Sequence, residues 1–149
     1  DTALSASVDF VVLCGDLLNV DLTGVRGPLF LIQQFQRLAA QNIQVYWVAG
    51  QIDAPDTWAK TYPLPSNVHV FSRARPDEMT VERNGVSLAQ ITGLSYARRQ
   101  RIRSDEFWPS ADGQFMIVAT HGEVELDGIA QRGKTKGTLV MCGGGRAKK

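Results

Sequence analysis

Three short apolar runs, each stopped by a polar loop that contains glycine, constrain the fold more than any other feature. The runs are residues 8–14, 43–49 and 114–120, and the loops after them begin Gly15-Asp16, Gly50-Gln51 and His121-Gly122. Short runs that are rich in β-branched residues and bounded by glycine are typical of strands buried on both faces. The chain therefore predicts an α/β fold with its polar loops at the ends of buried strands.

A helix connects the first two of these strands. Proline is tolerated in a first helical turn, so Pro28 predicts the start of a helix that extends to about residue 40. Leu31, Phe35 and Leu38 recur at i, i+4 and i+7 and form one apolar face. Strand, helix and strand make a βαβ unit, which predicts parallel strands with a right-handed crossover.

The next part of the chain predicts antiparallel pairing. Residues 79–83 and 86–91 flank Asn84-Gly85, the strongest two-residue signal for a β-hairpin. Residues 67–71 predict a further short strand. The predicted fold class is therefore α/β, with a mixed sheet or sheets flanked by helices.

The length of 149 residues suits one domain. We predict that this domain covers residues 1–127, followed at 128–149 by a poorly ordered tail rich in Gly, Lys and Arg. Two cysteines, Cys14 and Cys142, do not predict a disulfide framework, and free thiols fit a reducing cytoplasm. No apolar run approaches the ~20 residues that span a bilayer, so we expect no membrane partner.

Basic residues are concentrated in two clusters, although the net charge is only +1. The first cluster consists of Arg98, Arg99, Arg101 and Arg103, and the second of Arg132, Lys134, Lys136, Arg146, Lys148 and Lys149. Such clusters favour phosphate-rich partners, and we assign the first cluster to nucleic-acid binding. Two solvated loops are the plain alternative.

The loops after the three strands carry candidate metal ligands. Ligands of open α/β sheets bind beyond the carboxyl ends of the strands. If the three strands are neighbours, Asp16, Gln51, Asp53 and His121 converge at one edge. Carboxylate, amide and imidazole donors suit Mn²⁺, Fe or Zn²⁺ with a position left for water. Two such ions ~3.5–4 Å apart clamp a phosphate ester and generate hydroxide.

The same three segments resemble, in order, signature blocks of the calcineurin-like metallophosphoesterases. Residues 8–19 resemble the second block, a strand followed by G-D-x-x-D/N. Residues 45–53 resemble the third, a strand followed by G-N-H-D/E, and residues 117–122 the fourth, a strand ending in His-Gly. Residues 64–71 and 93–96 further resemble bacterial DNA-repair exonuclease subunits of the SbcD and YhaO type. The resemblance implies the central part of an α/β/β/α sandwich.

The resemblance also implies roles for single residues. It makes Asp16 the carboxylate that bridges two metal ions, and Gln51 and His121 ligands. Asn19 lines the site without being a regular ligand, and we assign it to the catalytic residues. Asp53 is interpreted as a carboxylate that supports the ligands or caps its loop.

Departures from the family pattern are concentrated in the third block. Gln51 stands where the family has Asn, with a side chain one methylene longer, and Ile52 stands where it has a catalytic His. Isoleucine neither donates nor accepts a proton, and general acid–base help is worth ~10²–10⁴-fold. The family's Asp-x-His and Gly-His-x-His blocks are not found. The chain is therefore interpreted as a fragment or as a degenerate member.

Three functions follow as competing hypotheses. The first is a metal-dependent phosphoesterase, by resemblance a DNA-repair exonuclease-type phosphodiesterase. It would use two divalent ions, foremost Mn²⁺, with Fe or Zn²⁺ as alternatives. DNA, an SbcC-like ATPase subunit and a second copy of the chain are its implied partners. The second is a catalytically impaired relative that acts as a nucleic-acid- or protein-binding module, with no metal in this fragment. The third is an unrelated doubly wound domain with a coincidental Gly-Asp turn.

Each candidate residue also has a plainer interpretation. Asp16 could cap a turn, and Gln51 could be a solvated loop amide. His69 lies in a predicted strand without a motif, which favours ordinary packing. Trp47 and Trp58 are expected in the core rather than on a stacking platform.

Overall fold

The computed structural model describes residues 1–98, 102–103, 107, 115–122, 124–125 and 140–142. Its helices are α1 (Thr2–Ser5), α2 (Val20–Thr23) and α3 (Arg26–Ala39), with a 3₁₀ turn at Pro55–Thr57. Its strands are β1 (Phe10–Cys14), β2 (Gln44–Val48), β3 (Val68–Val70), β4 (Asp77–Arg83), β5 (Val86–Leu94), β6 (Ile102–Arg103), β7 (Met116–Thr120), β8 (Val124–Glu125) and β9 (Val140–Cys142).

The first sheet has the order β1-β2-β3, and both strand pairs are parallel. The β1–β2 register runs from Phe10 opposite Gln44 to Cys14 opposite Val48. Helix α3 connects these two strands, which confirms the predicted βαβ unit. Phe35 of α3 packs with the core tryptophans, so the predicted apolar face of the helix is also confirmed.

Burial differs between β1 and β2. All five residues of β1 are only half-buried, whereas the last four residues of β2 are buried. The prediction that residues 8–14 are buried on both faces was therefore wrong. In the part of the chain that the structure describes, β1 pairs with β2 alone, while β2 lies between two strands.

The second sheet has the order β4-β5-β7-β9. Strands β4 and β5 form the predicted antiparallel hairpin, and Asn84 and Gly85 both have positive φ, at 52° and 75°. A tight two-residue turn of this type requires positive φ at both positions. Strands β5, β7 and β9 are parallel. Strand β9 falls within residues 128–149, and the predicted domain boundary at residue 127 stays a prediction, because its flanking residues lie outside the described ones.

Among the described residues, the core has three clusters: one between the sheets, one under the helix, and a third formed by Leu94, Ile102, Phe107, Met116 and Val118. Between the sheets, Tyr46 and Phe71 from the first pack with Ile91 and Ala119 from the second. Burial raises the pKa of the Tyr46 phenol above its usual value. On the other side of the first sheet, Trp47 packs beneath α3. The result is a helix layer and two facing sheets, which confirms the predicted α/β class.

The plain interpretations of three aromatic residues are confirmed. Trp47 and Trp58 are buried in the helix-side core, with ring centroids 6.1 Å apart. His69 packs edge-on against Phe71, with centroids 4.9 Å apart. Among the described residues, no helix is long and apolar enough to cross a membrane.

Candidate metal centre

The site forms where strands from both sheets end. Because β1 and β2 are parallel, their carboxyl ends meet at one edge, and the Gly15 N–H donates to the Val48 carbonyl at 2.7 Å. Strand β7 belongs to the second sheet, not to the first, yet His121 at its end lies beside Asp16. The expected convergence of the three loops thus occurs across two facing sheets.

Asp16 is held in an unusual backbone conformation by the loop after β2. Its φ of 51° lies in the left-handed region, which non-glycine residues enter at a cost. Its Oδ1 accepts hydrogen bonds from the backbone N–H groups of Gln51 at 2.9 Å and Ile52 at 3.2 Å. These bonds fix one carboxylate oxygen, and the side chain as a whole remains 41% exposed.

The other oxygen of Asp16 is paired with a histidine. Asp16 Oδ2 lies 3.3 Å from His121 Nε2, and the His121 side chain is only 10% exposed. A carboxylate oxygen and an imidazole nitrogen from two sheets therefore lie at a common point. The two residues are 105 positions apart in the sequence, so tertiary packing alone brings them together.

Two glycines make this close approach sterically allowed. A Cβ on Gly50 would lie 2.3 Å from Asp16 Oδ1 and 2.4 Å from its backbone nitrogen. A Cβ on Gly15 would lie 2.0 Å from His121 Nδ1. Contacts under 3.0 Å are not tolerated by real Cβ atoms, so both glycines are required by space.

Asp53 ties the two loops of the first sheet to each other. It is fully buried, and its Oδ2 accepts from the Leu17 N–H at 2.8 Å while its Oδ1 accepts from the Gly50 N–H at 2.6 Å. Hydrogen bonds to a carboxylate are among the stronger ones in proteins. Both oxygens are engaged by backbone, so the structure places Asp53 as a carboxylate that clamps the loops.

Asn19 is engaged in local structure. Its Oδ1 accepts from the Leu22 N–H at 3.2 Å, which caps the first turn of α2, and Thr23 Oγ1 donates to its carbonyl at 2.8 Å. Asparagine is among the preferred N-cap residues for this reason. The structure thus gives Asn19 a capping contact, and its assignment to the catalytic residues stays a prediction.

Gln51 and Ile52 reach the site through their backbone. Their N–H groups bind Asp16, whereas both side chains are exposed, Ile52 by 46%. Ligation by the Gln51 amide oxygen stays a prediction. An apolar side chain occupies the position at which the family resemblance implies a histidine.

The Asp16–His121 pair fits part of a metal coordination sphere. Oxygen and nitrogen ligands lie ~2.0–2.2 Å from ions such as Zn²⁺, so two ligands at a right angle are roughly 3 Å apart. The separation of 3.3 Å between Oδ2 and Nε2 is close to that value. Within the described ranges, no group of three or more His, Cys, Asp or Glu side chains is placed to hold an ion. The pair is therefore spaced like two ligands of one ion, and metal ligation by Asp16, His121 and Gln51 stays a prediction.

The structure describes half of the predicted basic cluster. Arg98 and Arg103 are both exposed, and Arg103 lies in β6. Arg99 and Arg101 lie outside the described residues, as do all six residues of the second basic cluster. Assignment of these arginines to nucleic-acid binding stays a prediction.

Sequence reasoning missed the residues that join the two sheets at this edge. Ser95 is buried, accepts a hydrogen bond from the Ala49 N–H at 2.9 Å, and donates to the Phe71 carbonyl at 2.6 Å. Tyr96 follows it and lies against the His121 ring. The signal that could have identified them is their place in the sequence, because both residues directly follow β5, which ends at the same edge as β2.

Comparison with known proteins agrees with this geometry. The calcineurin-like phosphoesterase family matches residues 1–143, and the chain belongs to that family. It is similar to the uncharacterized metallophosphoesterase YhaO of Bacillus subtilis (strain 168), with 35% identity over 124 residues. The match covers 82% of this chain and 30% of that protein, so the chain spans about a third of the length of this relative. The hypothesis of an unrelated domain with a coincidental Gly-Asp turn was wrong.

Proposed function

We propose that this chain belongs to a metal-dependent phosphodiesterase, a hydrolase of the DNA-repair exonuclease type. The observation that carries the proposal is the pair of Asp16 Oδ2 and His121 Nε2, 3.3 Å apart at the joint edge of two sheets. The family match supports the phosphoesterase class. The exonuclease specificity rests on the sequence resemblance.

The two carboxylate oxygens of Asp16 have different roles in the proposal, one in holding the loop and one as a metal ligand. Backbone N–H groups of Gln51 and Ile52 hold Oδ1, which leaves Oδ2 directed toward His121. In the proposal, Asp16, His121 and the Gln51 amide oxygen hold divalent ions, with Mn²⁺ foremost and Fe or Zn²⁺ as alternatives. Bound ions of this kind supply Lewis acidity toward a phosphoryl group and activate water.

Hydrolysis of bis-p-nitrophenyl phosphate and of single-stranded DNA with Mn²⁺ tests the proposal. We expect metal-dependent release of nitrophenol that Asp16→Asn and His121→Asn each reduce by at least tenfold. Asp56→Asn, which changes an exposed carboxylate paired with Arg73, is the matched control and should retain the parent rate. Absence of hydrolysis with every divalent ion tried would contradict the proposal.

A catalytically impaired binding module is the second candidate. The observation that favours it is Ile52, whose half-exposed side chain offers no proton at the site. Under this alternative, restoring Asn at Gln51 and His at Ile52 should create metal affinity that the parent lacks. Tight stoichiometric metal in the parent, measured by calorimetry, would rule the alternative out. If the parent is active, Ile52→His should raise its rate by ~10²-fold or more.

DNA and an SbcC-like ATPase subunit are the proposed partners of the whole protein. The exposed, positively charged residues Arg98 and Arg103 support the first of them. Replacing both by Gln should weaken single-stranded DNA binding and lower its salt dependence, since phosphate contacts release counterions. Co-purification with a candidate ATPase tests the second partner, which the sequence resemblance alone suggests.

A homodimer is also proposed for the whole protein. Four large apolar side chains of α2, α3 and the turn between them are exposed, at Leu22, Val25, Leu29 and Phe30. Clustered apolar exposure of this kind marks interaction surfaces, and a symmetric dimer is the commonest oligomer. Phe30→Glu should shift the sedimentation of a dimer to that of a monomer. Unchanged sedimentation of the variant would place the interface elsewhere.

The cytoplasm is the proposed location. The chain has two cysteines, and Cys14 is half-buried in β1. So low a cysteine content does not predict a disulfide framework, which fits a reducing compartment. Cell fractionation with an antibody to the chain tests this location.

A further inference from the structure

Among the described residues, the imidazole of His121 has no hydrogen-bond partner at its second ring nitrogen. Metal-binding histidines nearly always donate their second ring N–H to a carboxylate, a carbonyl or water, which sets the ring orientation. In the described part of the chain, His121 Nδ1 is buried and has no hydrogen-bond partner. The contact of Nε2 with Asp16 at 3.3 Å defines one point on the ring but not its plane. Within the described residues, packing contacts are therefore what can fix the plane of the ring.

Tyr96 is placed to do so by packing. Its ring lies edge-to-face with the His121 ring, with centroids 6.1 Å apart and planes at 80°. Edge-to-face geometry is a favoured arrangement of aromatic rings. A Cβ on Gly122 would lie 3.9 Å from Tyr96 Cδ2, so the ring also runs beside the turn that follows His121. The backbone of Gly15 approaches Nδ1 closely enough to exclude a side chain there.

The backbone of Tyr96 is itself held by a joint between the two sheets. Its N–H donates to the Ala49 carbonyl at 2.8 Å. The preceding Ser95 donates its N–H to the Ser72 carbonyl at 2.8 Å and its hydroxyl to the Phe71 carbonyl at 2.6 Å. These bonds tie the end of β5 to the ends of β2 and β3. Hydrogen bonds to the ends of β2 and β3 therefore hold Tyr96 and the preceding Ser95 beside the buried His121 imidazole.

We propose that Tyr96 is a positioning residue that orients the His121 imidazole by ring packing. The hydroxyl group of Tyr96 has no part in this role, and the aromatic ring is the required feature. The orientation follows from the contacts of the free protein. Only its consequence for metal binding rests on the proposed function.

Side-chain NMR of the metal-free protein tests the orientation directly. The chain has two histidines, so its imidazole signals are those of His121 and of His69, which serves as an internal control. We expect cross-relaxation between Tyr96 and His121 ring protons, and one His121 χ1 rotamer. Tyr96→Leu should populate a second rotamer of His121, and Tyr96→Phe should keep the single one. Neither variant should change the signals of His69.

Metal titration of the same variants gives the second measurement. Tyr96→Leu should weaken Mn²⁺ binding about threefold to tenfold, the factor expected for loss of one aromatic contact. Tyr96→Phe should bind as the parent does. If neither the parent nor either variant binds metal, the proposed function fails. The rotamer measurement still decides the role of Tyr96.

Three results would overturn the inference. The first is absence of cross-relaxation between the two rings in the parent, a measurement that requires no variant to fold. The second is an unchanged single rotamer of His121 in Tyr96→Leu. The third is equal disturbance by Tyr96→Phe and Tyr96→Leu, which would assign the effect to the hydroxyl group.

Discussion

The loops after β1 and β2 leave neighbouring parallel strands at equivalent positions, yet they contribute different groups to the site. Residues 15–19 present a side chain, the Asp16 carboxylate, to His121. Residues 50–53 present mainly backbone, since the N–H groups of Gln51 and Ile52 bind Asp16 while their side chains are exposed. The left-handed backbone at Asp16 turns its side chain toward the second loop. The position of the strands in the sheet thus determines which loops are adjacent. Local backbone conformation determines whether a loop contributes a side chain or backbone N–H groups to the site.

Gly50→Ala should have the largest effect, because it forces apart the two loops. The added Cβ would lie 2.3 Å from Asp16 Oδ1, and we expect a loss of about 3 kcal/mol in the free energy of unfolding. Urea denaturation measures it. Gly85→Ala is the control, since its Cβ meets nothing within 4 Å and only its φ of 75° opposes the change, at about 1 kcal/mol. Equal losses of unfolding free energy for Gly50→Ala and Gly85→Ala would show that the loops after β1 and β2 can accommodate the added methyl group.

Asp53→Asn should have the next largest effect. The amide retains one acceptor oxygen, so one of the two N–H groups loses its partner, either the part-buried one of Leu17 or the buried one of Gly50. We expect a loss of about 2 kcal/mol, measured by thermal and urea unfolding. Asp56→Asn removes an exposed ion pair with Arg73 and should cost less than about 1 kcal/mol. A smaller cost for Asp53→Asn than for Asp56→Asn would contradict the clamp.

Gln51→Ala tests whether the second loop contributes only backbone. The proposed ligation by its amide oxygen predicts about tenfold weaker Mn²⁺ binding, equal to 1.4 kcal/mol, with the free energy of unfolding unchanged. Calorimetric titration measures the affinity. Gln41→Ala, at an exposed position after α3, is the matched control. Unchanged affinity in Gln51→Ala would mean that residues 50–53 act through their N–H groups alone.

Ile52→Ala should have the smallest effect on stability. The backbone N–H that binds Asp16 Oδ1 is retained, and the side chain is 46% exposed. We expect a change within about 0.5 kcal/mol, as for most exposed positions. Urea denaturation beside the parent measures it. A loss above about 2 kcal/mol would show that the isoleucine side chain, and not its backbone, supports the loop.

Much of the fold was predictable because its signals are local. Strand β2 follows from a short run of apolar residues, and helix α3 from its apolar periodicity and a proline in its first turn. The hairpin follows from the Asn84-Gly85 turn. Burial of β1 was predicted wrongly, because composition reports the apolar character of a strand and not the number of strands beside it. The orienting contact of Tyr96 was not predictable, since it depends on a joint between residues 46 positions apart.

The sequence by itself determined the family, the parallel βαβ unit and the donor types at the strand ends, because each depends on residues close together in the chain. Only the tertiary structure decided how these donors meet. In the folded chain, His121 at the end of a strand of the second sheet lies beside Asp16, and Tyr96 lies beside its imidazole. The Asp53 carboxylate accepts hydrogen bonds from the backbone of two loops. The physical reason is that ligand geometry depends on how two sheets pack, and that packing comes from contacts across the whole core.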